Sequence, residues 1–186
     1  YDMWNGYYTW ISNVNYILAE EETMSGSETE KNYVLGQAYA VRAYSYFMLA
    51  QMFSRTYKGH ESEPCVPLYT EPTDIATEGK GRATVEEVYQ QITSDLDKAI
   101  TMLGNSGKRK HISHINEAVA SGIKARVALV MEDWQTALDA ANAAISKSGC
   151  SIGTGTAVTG GMNDATANNV MWAAEIIADQ SGMYAG

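Results

Sequence analysis

Residues 27–53 read SETEKNYVLGQAYAVRAYSYFMLAQMF, and this stretch carries the clearest structural pattern in the chain. Ser27 and Glu30 have the spacing of a capping box, in which each side chain bonds a free backbone N–H at a helix start. Apolar residues then recur every three or four positions, as on one face of a helix. These signals predict a helix ending near Phe53, roughly 39 Å long at a rise of about 1.5 Å per residue.

Helical spacing continues on both sides of this segment. Upstream, apolar residues at steps of three and four predict a helix over residues 2–21. Downstream, Thr84 and Glu87 form a second capping box, which opens a helix reaching about Leu103. Gly104 follows that helix and supplies a stop signal.

Two shorter helices are predicted next, one capped by Ser113 and one running from Trp134 to about Lys147 behind an Asp133 cap. Small residues recur where the two helices would touch. This pattern is typical of a tetratricopeptide (TPR-like) helix-turn-helix repeat. A generic alanine-rich pair of amphipathic helices explains the composition equally well.

The remaining segments are predicted as loops. Residues 59–83 contain all three prolines, and such long loops in compact domains are often functional. Residues 151–169 are rich in Gly, Thr, Asn and Ala, and Val170–Ala178 has the composition of one short strand. We therefore predict an all-α fold of about five helices, with a helical domain over residues 1–149. Residues 150–186 would be a loop and strand-like segment of a larger C-terminal portion that lies outside this sequence.

The composition limits the classes of partner. The chain has 186 residues and a net charge of −9, which would repel a phosphate backbone. Its basic cluster at residues 108–110 is too small for a nucleic-acid surface and fits a solvated loop after a helix C-terminus. Cys65 and Cys150 do not have metal-site spacing, and the sequence leaves open whether they form a disulfide.

No catalytic or cofactor site is predicted. His111 and His114 could approach each other, but the supporting carboxylate nearest in sequence is Glu117, so a metal site is disfavoured. Residues 79–81 lack the flanking sequence of a phosphate-binding loop. Acidic pairs such as Glu86 with Glu87 fit the start of a helix better than glycosidase chemistry.

The aromatic residues are the candidates for ligand binding. The chain has 12 Tyr and 4 Trp but only 2 Phe, so its rings mostly carry a polar group suited to wet surfaces. At the N-terminus, Trp4, Asn5, Tyr7 and Tyr8 combine rings that can stack on a sugar with an amide that can bond its hydroxyls. Packing between helices is the favoured interpretation of these rings.

Three residues are assigned structural roles. Arg42 lies among apolar residues, and we expect it to pair with a carboxylate of the neighbouring helix, with Asp95 as the proposed partner rather than a ligand. Trp134 is expected to pack between repeats.

Four blocks of sequence occur in the order found in one known family. They are residues 8–18 (YTWISNVNYIL), 37–49 (QAYAVRAYSYFML), 82–99 (RATVEEVYQQITSDLDKA) and 125–138 (ARVALVMEDWQTAL). Together they resemble the SusD/RagB-like outer-membrane nutrient-binding lipoproteins of the Bacteroidetes. Two features depart from that family: residues 53–57 stand where a Gly-Asp or Gly-Pro turn is usual, and the family's large C-terminal portion is missing.

The resemblance implies a non-catalytic role in polysaccharide uptake. It implies a glycan or other nutrient as ligand and a SusC-like TonB-dependent transporter as partner, with this helical part serving as scaffold and docking surface. It implies no cofactor, and a location on the outer membrane at the cell surface, through a lipid anchor outside this chain. We interpret the chain, which opens at Tyr1 inside a predicted helix, as part of a longer precursor.

Two other hypotheses remain at this stage. A cytosolic TPR-type adaptor would bind a peptide tail in its groove, although such grooves usually present basic side chains and this chain is acidic. A glycan-degrading enzyme is the weaker hypothesis, because it requires a catalytic constellation.

Overall fold

The computed structural model describes residues 2–160 and 164–175. In chain order the elements are α1 Asp2–Ala19, α2 Glu28–Phe53, β1 Pro64–Pro67, β2 Arg82–Thr84, α3 Val85–Gly104, α4 Glu117–Met131, α5 Trp134–Ser148 and α6 Gly155–Thr159. The five long helices confirm the predicted all-α fold, and α6 adds a single turn.

Each of the first four helices packs against the helix that follows it in the chain. Their inward faces form one hydrophobic core, in which Ile11, Tyr46, Tyr89 and Leu96 are almost completely buried. Both predicted capping boxes are present, at Ser27 with Glu30 and at Thr84 with Glu87. The sequence signals for α2 and α3 therefore gave the correct starts.

Helix α4 begins later than predicted, and Ser113 is not its cap. The Asn116 side chain accepts a hydrogen bond from the Val119 N–H at 3.0 Å and caps the helix instead. The preceding Ile115 N–H is already bonded to the Gln37 side chain of α2 at 3.2 Å. Residues 113–115 are thus tied to α2 in a non-helical conformation, which delays the helix.

Helices α4 and α5 form the predicted helix-turn-helix pair. Glu132 adopts a left-handed conformation (φ 60°) that reverses the chain, and Asp133 caps α5 by accepting from the Thr136 N–H at 3.1 Å. A Cβ atom added to Gly122 would lie 3.9 Å from the Ala144 Cβ, so the two backbones approach closely. On α5, Ala137, Ala140 and Ala144 are the buried residues.

Trp134 does not pack between repeats as predicted, because 63% of its surface is exposed. Side chains in a helix tilt toward its N-terminus. Trp134 is the first residue of α5, so this tilt directs its indole away from the rest of that helix.

Two short strands, which were not predicted, lie at the ends of the long loop. β1 and β2 are antiparallel, with Pro64 opposite Thr84 and Pro67 opposite Arg82. The Val85 N–H also donates to the Glu63 carbonyl at 2.9 Å. The pairing brings the end of the loop to the start of α3.

The predicted C-terminal strand is absent from residues 170–175, and residues 176–178 lie outside the described residues. The segment is held on the helices by side chains instead of by a strand ladder. Arg109 Nη1 donates to the Met171 carbonyl at 2.8 Å, and Trp172 Nε1 donates to the Ser113 carbonyl at 2.8 Å.

The two cysteines are free thiols in this structure. Cys65 is buried in β1 and bonds Ser54 at 3.3 Å, whereas Cys150 is half-buried beside the Val170 carbonyl. Within the described ranges, no helix is both long enough and apolar enough to cross a bilayer.

Candidate functional site

A groove of about 560 Å³ lies between α1, α2 and the segment around Trp172. Its walls carry the rings of Tyr7, Trp10, Tyr44 and Trp172, and Val41 and Ile115 add aliphatic surface. We call this cavity the aromatic groove. Its volume lies within the range of about 300–1,000 Å³ that is usual for small-molecule sites.

The helical spacing of α1 places the first two rings together. Tyr7 and Trp10 are three residues apart and so lie on the same face of the helix. Their ring centroids are 5.2 Å apart in an edge-to-face arrangement. The ring centroid of Tyr44 in α2 lies 6.4 Å from that of Tyr7 in α1.

Trp172 reaches the groove from a distant part of the chain. Its ring stands edge-on to Tyr44 with centroids 5.7 Å apart. The bond from its indole N–H to the Ser113 carbonyl sets the orientation of the ring. Trp172 is still 38% exposed and Trp10 is 49% exposed, so both indoles present surface to solvent.

The chemistry of the groove is aromatic and uncharged. None of the described residues that line it carries a charge. Burial, and to a lesser degree the nearby Tyr44 phenol, raises the pKa of Tyr7, so its hydroxyl stays protonated and can both donate and accept. Accessible indole faces beside hydroxyls suit a ligand with an apolar face and a polar edge, as a sugar ring has.

The four N-terminal candidates divide between different environments. Only Tyr7 lines the aromatic groove. Trp4 packs against Phe53 and Tyr8, each with a centroid distance of 4.9 Å, and Asn5 is exposed. A ligand-binding role for Trp4, Asn5, Tyr7 and Tyr8 stays a prediction.

Tyr8 faces a smaller cavity of about 200 Å³, which also involves Asn15 and Tyr69. Its hydroxyl donates to the Pro67 carbonyl at 2.7 Å. Burial, followed by the neighbouring Tyr46 and Tyr69 phenols, raises the pKa of Tyr8 far above its usual range. These contacts make Tyr8 a link between α1 and the long loop.

Sequence reasoning missed three of the four groove rings. Trp10 could have been found, because it follows Tyr7 by three residues on the same helix. Tyr44 lies within the predicted helix 28–53, but no sequence pattern marks it as a residue of the groove. The position of Trp172 depends on contacts with residues about sixty positions away, which no local pattern encodes.

A buried polar network lies beside the groove. Arg42 donates to both oxygens of Asp95, at 2.7 and 2.8 Å, and to the Asn15 side-chain oxygen at 2.9 Å. Burial alone would lower the pKa of Arg42, but the bonds and charge of Asp95 outweigh it and raise the pKa. Asp95 is the carboxylate that the sequence analysis pairs with Arg42.

The same network fixes residues 69–71 of the long loop, which follow β1. Arg42 donates to the Thr70 carbonyl, and the Asn15 amide donates to the Tyr69 and Glu71 carbonyls at 3.0 and 3.1 Å. Helices α1, α2 and α3 and the loop are therefore joined through one buried guanidinium.

His111 and His114 approach each other, with ring centroids 6.0 Å apart. His111 bonds Ser113 and Glu175, and His114 bonds the Tyr33 hydroxyl. Among the described residues, no group of three or more potential metal ligands is found.

Residues 1–129 match the model of a SusD-like family described as starch-binding and associating with the outer membrane. No curated protein matches the chain.

The fold is similar to several solved structures. A SusD-like carbohydrate-binding protein from Bacteroides vulgatus has a TM-score of 0.88 and 28% identity, and the match covers 96% of this chain and 37% of that one. A candidate sugar-binding protein from the same species has a TM-score of 0.73 and 31% identity, with coverages of 80% and 34%. A SusD superfamily protein from Bacteroides thetaiotaomicron has a TM-score of 0.85 and coverages of 96% and 39%; at 24% identity that match shows the fold alone. The chain thus spans a little over a third of the length of these proteins.

Proposed function

Because the chain belongs to the SusD-like family, we propose that it is the helical part of a carbohydrate-binding protein in an outer-membrane uptake system. The ligand is a nutrient glycan, and the aromatic groove contacts it. The role is to bind and position the glycan without making or breaking bonds.

The observation that carries this proposal is the aromatic groove itself. Two partly exposed indoles, Trp10 and Trp172, and two phenols, Tyr7 and Tyr44, line one cavity. The two phenols and Ser113 supply hydroxyl groups beside the indoles. The apolar face of a sugar ring would lie against Trp10 or Trp172, and the hydroxyls of the sugar would bond the polar groups at the edge. Similarity to a carbohydrate-binding protein of 28% identity supports this class of ligand.

The proposed partner is a SusC-like TonB-dependent transporter of the outer membrane. The family description associates its members with that membrane. Stacked helix pairs give an extended face suited to docking, so the helices would serve as scaffold and as contact surface. Attachment to the membrane would occur through a lipid anchor outside these residues, and residues 150–186 would belong to a larger C-terminal portion.

A glycan panel tests the binding proposal. The full chain should retain one or more glycans, and both Trp172→Ala and Trp10→Ala should weaken the best binding at least about tenfold, or about 1.4 kcal/mol. The matched control is Trp134→Ala, which removes an exposed indole on α5 outside the groove and should leave the affinity unchanged. Circular dichroism on each variant establishes that it is folded.

Three results would count against the proposal. If the folded chain retains no glycan, the proposal of carbohydrate binding is contradicted. If Trp172→Ala and Trp134→Ala lose affinity equally, the groove is not the binding site. Retention of peptides in place of glycans would favour the peptide-adaptor alternative.

A further inference from the structure

A third cavity, of about 640 Å³, is lined by basic side chains, in contrast to the uncharged aromatic groove. It is bordered by the end of α3, the loop after it, the start of α4 and the end of α5. Five basic or titratable nitrogen side chains line it: Lys108, Arg109, Lys110, His111 and Lys147. We call this cavity the basic cleft.

The basic cleft is an exception in an acidic protein. The chain has only 13 Lys and Arg residues against 22 acids, yet four of the 13 line this one cavity. One of the four, Lys147, is paired with Glu117 at 3.2 Å. In the part of the chain that the structure describes, no carboxylate lies within salt-bridge distance of Lys108, Arg109 or Lys110.

Arg109 is held in place without being neutralised. Its Nη1 donates to the Ile112, His114 and Met171 carbonyls, at 3.4, 3.4 and 2.8 Å. These acceptors are uncharged, so none of them offsets the positive charge of the half-buried guanidinium. Lys110 lies over the Tyr33 ring, with its ammonium 5.4 Å from the centroid, and this contact also leaves the charge in place. Hydrogen bonds from Ser27, and to a smaller degree the positive charge of Lys110, lower the pKa of Glu30.

Consecutive residues of one loop line the basic cleft and the aromatic groove. Ile112 lines the cleft, and the next residue, Ser113, lines the groove. His111, also on the cleft side, bonds the Ser113 hydroxyl at 2.8 Å and the Glu175 carboxylate at 2.9 Å. Glu175 directly follows Ala174 of the groove. A ligand in the groove therefore lies next to the cleft.

We propose that the basic cleft binds an anionic substituent, a carboxylate or a sulfate, of the saccharide whose adjoining ring occupies the aromatic groove. This inference rests on the proposed function and names its class of ligand: acidic glycans. The groove stacks on the sugar ring, and the cleft attracts the anionic substituent. Acidic glycans therefore bind more tightly than neutral glycans when the two compete. Because the cleft is open to solvent, salt should screen this second contribution and leave the stacking contribution largely intact.

The test uses pairs of saccharides that share a backbone and differ only in charge. Oligogalacturonates and their methyl esters represent carboxylates, and sulfated galactan oligosaccharides and their desulfated forms represent sulfates; the pairs are added to the glycan panel. We expect the panel to retain acidic glycans above neutral ones, with a preference that shrinks as salt rises. The pair that shows the larger difference identifies the substituent.

Variants assign the preference to the cleft. The double variant Lys108→Ala/Lys110→Ala should weaken binding of the retained acidic glycan about fivefold, since each exposed ionic contact contributes little. It should leave any binding of the neutral twin unchanged. Arg55→Ala/Lys58→Ala is the matched control, because it removes two exposed positive charges outside the cleft and should preserve the preference.

The outcomes separate this inference from the proposed function. Retention of neutral and acidic glycans to equal degrees, or of neutral glycans alone, overturns the acidic-ligand inference while carbohydrate binding stands. Equal losses in the two double variants also overturn it, because the effect would then come from net charge. If no glycan of any kind is retained, the proposed function fails and this inference fails with it.

Discussion

Arg42 on α2 and Asp95 on α3 form a two-point ion pair, with Nε–Oδ2 at 2.7 Å and Nη2–Oδ1 at 2.8 Å. The side chains are only 6% and 1% exposed. Arg42 also bonds Asn15 of α1, so this pair fixes the helix that carries Tyr7 and Trp10 relative to the helix that carries Tyr44. The Arg42 guanidinium therefore joins the two helices that carry three of the four groove rings.

Replacing Arg42 should cost far more stability than replacing an exposed cation. Arg42→Met leaves the buried Asp95 charge without its partner, and we expect a loss of about 3–5 kcal/mol in the free energy of unfolding. Lys124→Met is the control, because Lys124 also joins two helices through an ion pair, with Asp97, but that pair is solvated. The control should lose less than about 1 kcal/mol in urea unfolding. Similar losses in both variants would contradict the role given to Arg42.

Asn15 should hold residues 69–71 of the long loop in place. Asn15→Ala removes the bonds to the Tyr69 and Glu71 carbonyls and one acceptor of Arg42, at a cost of about 1–3 kcal/mol. The loop should then open more often, and trypsin should cut after Lys80 faster than in the parent chain. Ser12→Ala, one helical turn earlier on α1, is the control and should leave the cleavage rate unchanged. An unaltered rate in Asn15→Ala would show that the loop is held by other contacts.

Two helical glycines should respond to alanine in opposite directions. In α2, a Cβ at Gly36 would lie 2.7 Å from Leu103 Cγ of α3, so Gly36→Ala should overpack the interface and destabilise the fold by about 1–3 kcal/mol. In α1, a Cβ at Gly6 would contact nothing within 4 Å apart from its chain neighbours and the nearby backbone of its own helix. Gly6→Ala should therefore stabilise the helix by about 0.5–1 kcal/mol. Thermal unfolding measures both, and shifts of the same sign would contradict the packing described here.

The capping box at α3 should make stability depend on acid pH. Hydrogen bonds from the Thr84 backbone and side chain lower the pKa of Glu87 below its ordinary value of 4.5. Because the folded state has the lower pKa, the Glu87 carboxylate stabilises the fold above pH 4.5, and this contribution is lost as the pH falls through the folded-state pKa.

Glu87→Gln isolates this effect, since glutamine keeps a side-chain acceptor but does not titrate. The variant should be less stable than the parent at neutral pH and should lose less further stability on acidification below pH 4.5. Urea unfolding at a series of pH values measures both slopes. Glu78→Gln, which removes the same charge from an exposed loop position, is the control. A Glu87→Gln slope equal to that of the parent would contradict the assignment.

The sequence was a good guide wherever local chemistry decides the structure. The capping boxes at Ser27 and Thr84 placed the starts of α2 and α3, and Asp133 placed the start of α5. It was a poor guide where distant contacts compete with local signals. Ser113 looks like a cap, but the bond between Ile115 and Gln37 of α2 holds that segment away from a helical conformation.

The candidate site shows the same division. Tyr7 was named as a candidate because aromatic and amide residues cluster beside it in the sequence, and the structure places it in the groove. Trp172 was not predicted, because it lies in a segment whose apolar composition resembles a strand. Bonds with Arg109 and Ser113 and the ring contact with Tyr44 of α2, all far away in the sequence, place that segment on the fold. Such contacts depend on the assembled helices, so they can be read only from the structure.

A crystal structure of the chain with the glycan that it retains most strongly is the most direct test of the account. We predict density for a sugar ring stacked on Trp172 or Trp10 in the aromatic groove, within reach of the hydroxyls beside them. A saccharide bound elsewhere, with all four groove rings free of ligand, would contradict the central claim.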